Sequence, residues 1–373
     1  MVKETKREIK NRKVLFVGGS YDDSGGKSSK IAEEIYERID GRGVDYYNGG
    51  YFSELEKITN DVGEYRVVYW LAKTDSDKPR LVKKLKEINK ELIVVGSKRN
   101  IDNELSFGEI VYDALSIKAN LMVEFGQDGE RYSSRVLDPL GNFYVDSEDM
   151  NLVGKVLRKR VDEILHYSRV GSMRIGEKIG SKGNEEFFEL IRKYAAVFHD
   201  IIHPHADAVE RFMGNASFRC EDGFPSYMEE DLIFVSKRNI DKREINSGGF
   251  VAVKKELPVK YYGSEKPSVD TPIQILLYQS YPKIRYMLHS HTYVKGAPFT
   301  ERVIPCGAIE EFYEIREKFP NRGLGKLLIN LRGHGSLVLS SEIEDMEDID
   351  YIPRPIPEFQ DLYLGGGGEN EKN

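Results

Sequence analysis

Cysteine is almost missing from this chain. Cys220 and Cys306 are the only two in 373 residues. Two thiols cannot make a disulfide framework, which points to a reducing compartment. Long apolar runs are missing too: none reaches the roughly 20 residues needed to cross a bilayer, so no membrane partner is expected. Excess positive charge is also absent. The formal net charge is −7, which gives no electrostatic case for nucleic acid as a partner. Residues 1–13 are polar and basic with no apolar centre, so no secretory leader is expected and a cytoplasmic location is. Aromatic residues are plentiful, at 11% with 22 tyrosines, within a hydrophobic fraction of 40%. That is enough for ordinary cores and argues against disorder. The length suggests two domains, or three.

The first half of the chain alternates between two periodicities. Residues 13–18 form a short apolar strand, 19–29 a glycine- and serine-rich loop, and 31–39 a helix that Ser28 or Ser29 can cap. A strand, a glycine-rich loop and a helix start make a natural anion site. Its candidate residues are Gly19, Ser20, Gly26, Lys27 and Ser28; a flexible turn is the plainer alternative. Gly26-Lys27-Ser28 looks like the end of a P-loop, but that motif needs glycine at position 21, where Tyr21 stands. An ATPase is therefore excluded, while phosphate or nucleotide binding stays open. Further strands are predicted at 45–47, 65–71, 92–95 and 120–125, and helices at 78–89, 107–118 and 150–167. An edge hairpin is predicted over 132–144, turning at Asp138-Pro139-Leu140-Gly141-Asn142. This alternation predicts an α/β domain with a doubly wound, mostly parallel sheet of Rossmann or flavodoxin type. Ligands of such sheets sit at the carboxyl ends of strands, here residues 18–29, 48–52 and 97–102. Residues 169–184 are rich in glycine, lysine and serine, which places a boundary near 175. The expected domains are 1–174 and 175–350, with 351–373 a partly disordered tail.

Three of the seven histidines stand out. Leu288-His289-Ser290-His291-Thr292 follows an apolar run that reads as a strand. Residues i and i+2 of a strand face the same way, so both imidazoles can close on one ion. His334 comes later, in a strand that runs into a glycine-flanked turn. Three neutral imidazoles with an open position are the arrangement of a catalytic zinc. Ordinary polar residues at strand ends are the alternative. His199, His203 and His205 include an i,i+4 pair, but Pro204 interrupts that helix and no carboxylate signature accompanies it. They read as surface or partly buried polar residues. Ser-Lys-Arg-Asn-Ile-Asp occurs twice, at 97–102 and 236–241, each time after an apolar strand. The two copies are either loops for similar anionic groups or a coincidence.

From about residue 187 to 340, the order of motifs resembles the class II aldolase/adducin family. Gly214-Asn215-Ala216-Ser217-Phe218-Arg219 is similar to the family's Gly-Asn-x-Ser-x-Arg turn, which approaches the substrate phosphate. Ile233 to Asn239 falls where the family has Ile-Thr-Pro-Ser-Gly. Lys266-Pro267-Ser268-Val269-Asp270-Thr271-Pro272 resembles Lys-Pro-Ser-Ser-Glu-x-Pro. His289-Ser290-His291 then resembles the family's zinc-binding pair and Gly333-His334-Gly335 its third ligand.

The resemblance implies a second α/β domain with a central antiparallel sheet. It also implies a metal-dependent lyase that cleaves or forms a C–C bond through a zinc-stabilised enediolate, with epimerisation or dehydration at the same metal as alternatives. Zinc or another divalent metal is the expected cofactor, held by His289, His291 and His334. The substrate expected is a small phosphorylated or acidic sugar, and the assembly a homo-oligomer, a ring-shaped tetramer with sites between subunits. Asp270 stands where the family has a proton-moving glutamate, one methylene shorter; a helix N-cap is its structural alternative. Gly214, Asn215, Ser236, Lys237, Arg238 and Ser268 are the expected substrate- and phosphate-binding residues, with Val269 replacing the family's second serine. Lys237 and Arg238 bring charge where the family has neutral donors; a solvated turn is the alternative. The family's proton-donating tyrosine comes from near a neighbouring subunit's C-terminus, and Tyr351 and Tyr363 are the candidates. Two rivals remain: an adducin-like binding or scaffold protein without catalysis, and a protein whose main function is nucleotide or flavin binding in the first domain.

Overall fold

The computed structural model describes residues 13–39, 43–75, 77–78, 80–128, 131–181, 184–198, 212–219 and 232–362. His199, His203, His205, Cys220 and Tyr363 lie outside them, as does the glycine-rich end of the tail. The described chain divides into two units. One holds the residues up to Leu165 together with those from Ile356 onward; the other holds His166 to Pro355.

The first unit follows the predicted alternation. Its strands are β1 (Lys13–Asp22), β2 (Val44–Tyr51), β3 (Tyr65–Trp70), β4 (Lys73–Thr74), β5 (Ile93–Ile101), β6 (Leu121–Asp128), β7 (Arg131–Leu137) and β8 (Asn142–Ser147). They lie in the order β8-β7-β6-β5-β3-β1-β2, with β4 beside the end of β1. From β6 to β2 all pairings are parallel, and β7 and β8 form the antiparallel hairpin. Apolar side chains alternate between the faces. Leu15, Val17, Val68, Trp70 and Val94 pack on one side with helices α1 (Phe52–Asn60) and α2 (Phe107–Ser116). On the other side Phe16 meets Tyr36 and Tyr46, beside the long helix α3 (Met150–His166). Helices on both faces make this a doubly wound sheet.

Three local expectations need correction. The predicted helix at 78–89 shrinks to a 3-10 turn (Leu81–Lys84) and one α-turn (Leu85–Ile88), because only Leu81, Val82 and Leu85 find buried places. Residues 48–52 and 97–102 are not loops at strand ends. Most of each segment is strand, held by pairing with β1 and β6 respectively. The glycine-rich loop after β1 is closed on itself. Ser20 N–H donates to Lys27 O, Gly26 N–H to Gly50 O, Lys27 N–H to Ser20 Oγ and Ser29 N–H to Asn48 Oδ1. Those donors are consumed by the fold and are not offered to an anion.

The second unit is built on an antiparallel sheet. Its strands are β9 (Ser172–Gly176), β10 (Asn215–Arg219), β11 (Leu232–Ser236), β12 (Phe250–Lys254), β13 (Val259–Tyr262), β14 (Tyr286–Ser290), β15 (Tyr293–Val294), β16 (Lys326–Leu331) and β17 (Gly335–Ser340). The order is β16-β17-β14-β10-β11-β12-β13-β9, antiparallel except for β13 with β9. The pairing of β9 explains why the division falls at Leu165 and not near 175: the glycine- and lysine-rich stretch contributes an edge strand. The central strands are apolar on both faces. Ile233 and Val235 join a core with helices α4 (Thr271–Ser280) and α5 (Glu310–Lys318). Leu232 and Phe234 join the opposite core with Phe187, Phe188 and Ile191 of the helix Glu185–Lys193. The segment expected to be a tail contributes two short strands: Tyr351–Ile352 pairs with β15, and Glu358–Phe359 adds a parallel edge to β8.

Candidate metal centre

His289 lies on β14 and His291 just past its last residue, Ser290, and His334 enters from the turn before β17, the neighbouring strand. Glycine makes that approach possible. A Cβ on Gly335 would collide with Ser290 O, and one on Gly214 would stand 2.5 Å from His289 O. The three rings gather with centroids 5.2 Å (His289–His291), 4.7 Å (His289–His334) and 5.2 Å (His291–His334) apart. All three are buried, and each offers a nitrogen within 4.8 Å of the other two.

Hydrogen bonds prepare two of these rings. His289 Nδ1 lies 2.9 Å from Ser336 O, while its Nε2 is buried with no partner. A ring that donates through Nδ1 to a carbonyl turns the Nε2 lone pair into the site. His334 Nδ1 lies 2.9 Å from Glu311 Oε1, and its Nε2 lies 3.2 Å from Cys306 Sγ. The donor set thus fits a divalent cation: three convergent imidazoles, one orphaned buried nitrogen, and outer partners that orient two of the rings.

The charges of two of the three rings agree with a cation site. Burial and the neighbouring His334 push His289 down to about 4, and burial with His289 pushes His291 well below the ordinary range. Both are therefore neutral, as ligands must be. His334 goes the other way. Burial opposes its protonation, but Cys306 and Glu311 outweigh that and hold it well above the ordinary range. Burial raises the Glu311 carboxyl against the lowering effect of His334.

Asp270 occupies the N-cap position of α4 without capping it. Its Oδ2 accepts from Asn215 Nδ2 at 2.8 Å and lies 3.8 Å from His289 Nε2, while Oδ1 is buried without a partner. The side chain is turned to the histidines and away from the helix backbone. Asn215 is held by Gln274 Nε2, which donates to its Oδ1, and stands opposite His289 in the sheet.

The expected substrate residues separate in space. Gly214 is the left-handed turn (φ 70) that brings Asn215 to Asp270. Ser268 Oγ lies 3.4 Å from Asp270 Oδ2. Ser268 and Arg238 line a cavity of about 320 Å³ that also touches Arg169, Val269, Thr271 and Cys306. Cys306 thus borders both the cavity and the third histidine. Ser236 is not available: it is fully buried, and its Oγ accepts the Ala216 N–H. Lys237 bridges to Pro267 through its backbone and does not line the cavity. Within the chain Tyr351 packs on Tyr194, its ring 5.2 Å away.

Sequence reasoning missed Glu311, Cys306, Gln274 and Lys242. Glu311 sits in a run of charges, Glu310-Glu311, that looks like a solvated helix start. Only the fold shows that Glu311 is 3% exposed. Lys242 is equally hidden. Its Nζ donates to Met213 O at 2.9 Å, and burial pushes its pKa down to about 8.

Residues 193–306 match the model of the family described as Class II Aldolase and Adducin N-terminal domain. That stretch includes Asn215, Asp270, His289 and His291; Glu311 and His334 lie beyond it. A methylthioribulose-1-phosphate dehydratase of Picosynechococcus sp. is 38% identical over 69 residues, 18% of this chain and 32% of the dehydratase. The match therefore spans about a third of that relative's length. Solved structures overlap more loosely. L-fuculose-1-phosphate aldolase from Thermus thermophilus gives a TM-score of 0.30 at 17% identity, covering 43% of this chain and 80% of the aldolase. A DNA/pantothenate metabolism flavoprotein from Streptococcus pneumoniae gives 0.32 at 11% identity, covering 41% of this chain and 99% of the flavoprotein. The described residues contain no helix long and apolar enough to cross a membrane. The second unit of this chain carries a class II aldolase/adducin domain.

Proposed function

We propose that this protein is a metal-dependent lyase acting on a small phosphorylated sugar beside its carbonyl group. The observation that carries the reading is the set of three convergent imidazoles with Asp270 Oδ2 at 3.8 Å from His289 Nε2. A divalent cation held by His289, His291 and His334, zinc first, would supply Lewis-acid polarisation of the carbonyl and its neighbouring hydroxyl. Asp270 is the group placed to move the proton. Asn215 fixes one of its oxygens and leaves the other without a partner. Arg238 and Ser268 line the adjoining cavity and suit a phosphate or carboxylate.

C–C cleavage of the aldol type is the first reading. Loss of water is the second, and the dehydratase match favours it. A scaffold role is disfavoured, because three neutral or metal-ready histidines buried together have no use in a scaffold. The test is product analysis by mass spectrometry on a panel of ketose 1-phosphates with added zinc. Two carbonyl fragments would establish aldol cleavage, and a product lighter by one water would establish dehydration. No turnover of any member would count against both.

A further inference from the structure

The first unit holds a cavity that the proposed lyase chemistry does not use. It measures about 260 Å³ and lies at the carboxyl ends of β1, β3, β5 and β6. In the sheet order the chain passes from β1 outward to β2, then returns to the other side of β1 as β3. This is the topological switch point, where doubly wound sheets open a crevice for ligands.

The lining is unusual for a plain surface hollow. Tyr132 and Ile101 are each 51% exposed although both are large and apolar. Leu71 and Phe125 complete an apolar shelf. Arg99 stands at its edge. Its side chain is exposed and has no ion-pair or hydrogen-bond partner among the described residues. A solvent-facing arginine left without a carboxylate is free to meet an anion. Gln127 adds a polar edge. Arg99 is also the arginine of the first Ser-Lys-Arg-Asn-Ile-Asp copy, and Arg238 is its counterpart in the second. Each lines a cavity in its own unit.

We propose that this cavity binds a mononucleotide, its base against Tyr132, Phe125 and Ile101 and its phosphate on Arg99. A flat ring suits the aromatic shelf, and a phosphate suits the planar guanidinium. The volume lies near the small end of the roughly 300–1,000 Å³ usual for small-molecule sites. That admits a mononucleotide and not a dinucleotide. The anion site thus moves from the closed loop after β1 to the far end of β5. The proposal stands independently of the metal centre.

Trp70 is the only tryptophan of the chain and precedes the cavity residue Leu71, so its fluorescence reports on this unit alone. The experiment titrates the full-length protein with the four ribonucleoside 5′-monophosphates, following Trp70 emission and binding heat. The matching nucleosides and inorganic phosphate serve as controls. At least one nucleotide is expected to bind in the micromolar to sub-millimolar range, and more tightly than its nucleoside or phosphate alone. Arg99→Ala should weaken it by about tenfold or more. Arg99→Lys should keep part of the affinity, Tyr132→Ala should weaken it severalfold, and Arg238→Ala should leave it unchanged. Absence of binding up to millimolar nucleotide would overturn the proposal. So would an Arg99→Ala variant that melts like the wild type and binds as well, or inorganic phosphate binding as tightly as any nucleotide.

Discussion

The same six residues, Ser-Lys-Arg-Asn-Ile-Asp, fold in two ways. In the first copy, Ser97 to Ile101 are strand. They pair residue by residue with β6, from Ser97↔Val123 to Ile101↔Gln127. Asn100 is buried there, bonded to Leu105 N and O and to Glu124. In the second copy, only Ser236 is strand, because its partners β10 and β12 run out at that point. Asn239 then takes a left-handed turn (φ 59), and its Oδ1 accepts the Phe212 N–H at 2.9 Å. The next residue differs too: Asn103 is exposed, whereas Lys242 is buried. What decides the outcome is the neighbouring strand. Local preference is a weak term beside a full ladder of pairing.

That contrast can be broken at graded cost. The largest difference is catalytic. Asp270→Asn should lower kcat by about 10²–10⁴-fold on any substrate that turns over, while Arg99→Ala in the first unit should leave kcat unchanged; steady-state kinetics on both variants checks this. The next is structural. Asn100→Ala leaves Glu124 and two backbone groups of Leu105 short of partners and should cost about 2–3 kcal/mol. Asn239→Ala should cost about 1 kcal/mol and Asn239→Gly less, because glycine keeps the positive φ and loses only the exposed bond from Phe212 N–H. Urea unfolding of the three variants measures it.

Lys242 gives a smaller effect with a pH signature. Its folded pKa of about 8 lies below the ordinary lysine value of 10.5, a cost of about 3 kcal/mol at neutral pH, partly offset by its bond to Met213 O. Lys242→Met should therefore stabilise the protein by about 1–2 kcal/mol at pH 7. Between pH 8 and 10.5 the unfolded chain binds more protons than the folded one. Wild-type stability then gains from rising pH, and the variant's advantage should shrink. Paired unfolding curves at about pH 7 and pH 10 decide it. Smallest is Arg238→Ala, expected to raise KM for a phosphorylated substrate about five- to tenfold, or about 1 kcal/mol, with kcat little changed. The matching change at Arg99 should not move KM.

Much of this was legible in the sequence. The i,i+2 histidines, and the glycines that let His334 approach, state their geometry through strand period and close backbone contact. The parallel α/β alternation of the first unit is likewise written in its apolar pattern. Other features were hidden because they depend on which surfaces meet. The edge strand at Ser172–Gly176 sits in a stretch composed like a linker. Glu311 and Lys242 belong to charge runs that read as solvent-facing until the fold buries them. The loop after β1 read as an open anion cradle, but the N–H groups of Ser20, Gly26, Lys27 and Ser29 are taken up by Lys27 O, Gly50 O, Ser20 Oγ and Asn48 Oδ1.

The most direct test of the metal centre is the metal content of the purified full-length protein, measured by elemental mass spectrometry beside a His289→Ala, His291→Ala variant. About one divalent ion per chain, zinc first, lost in the variant, is the predicted result. A wild-type chain that stays empty after zinc is supplied, or a variant that keeps its metal, would contradict the assignment of these three histidines.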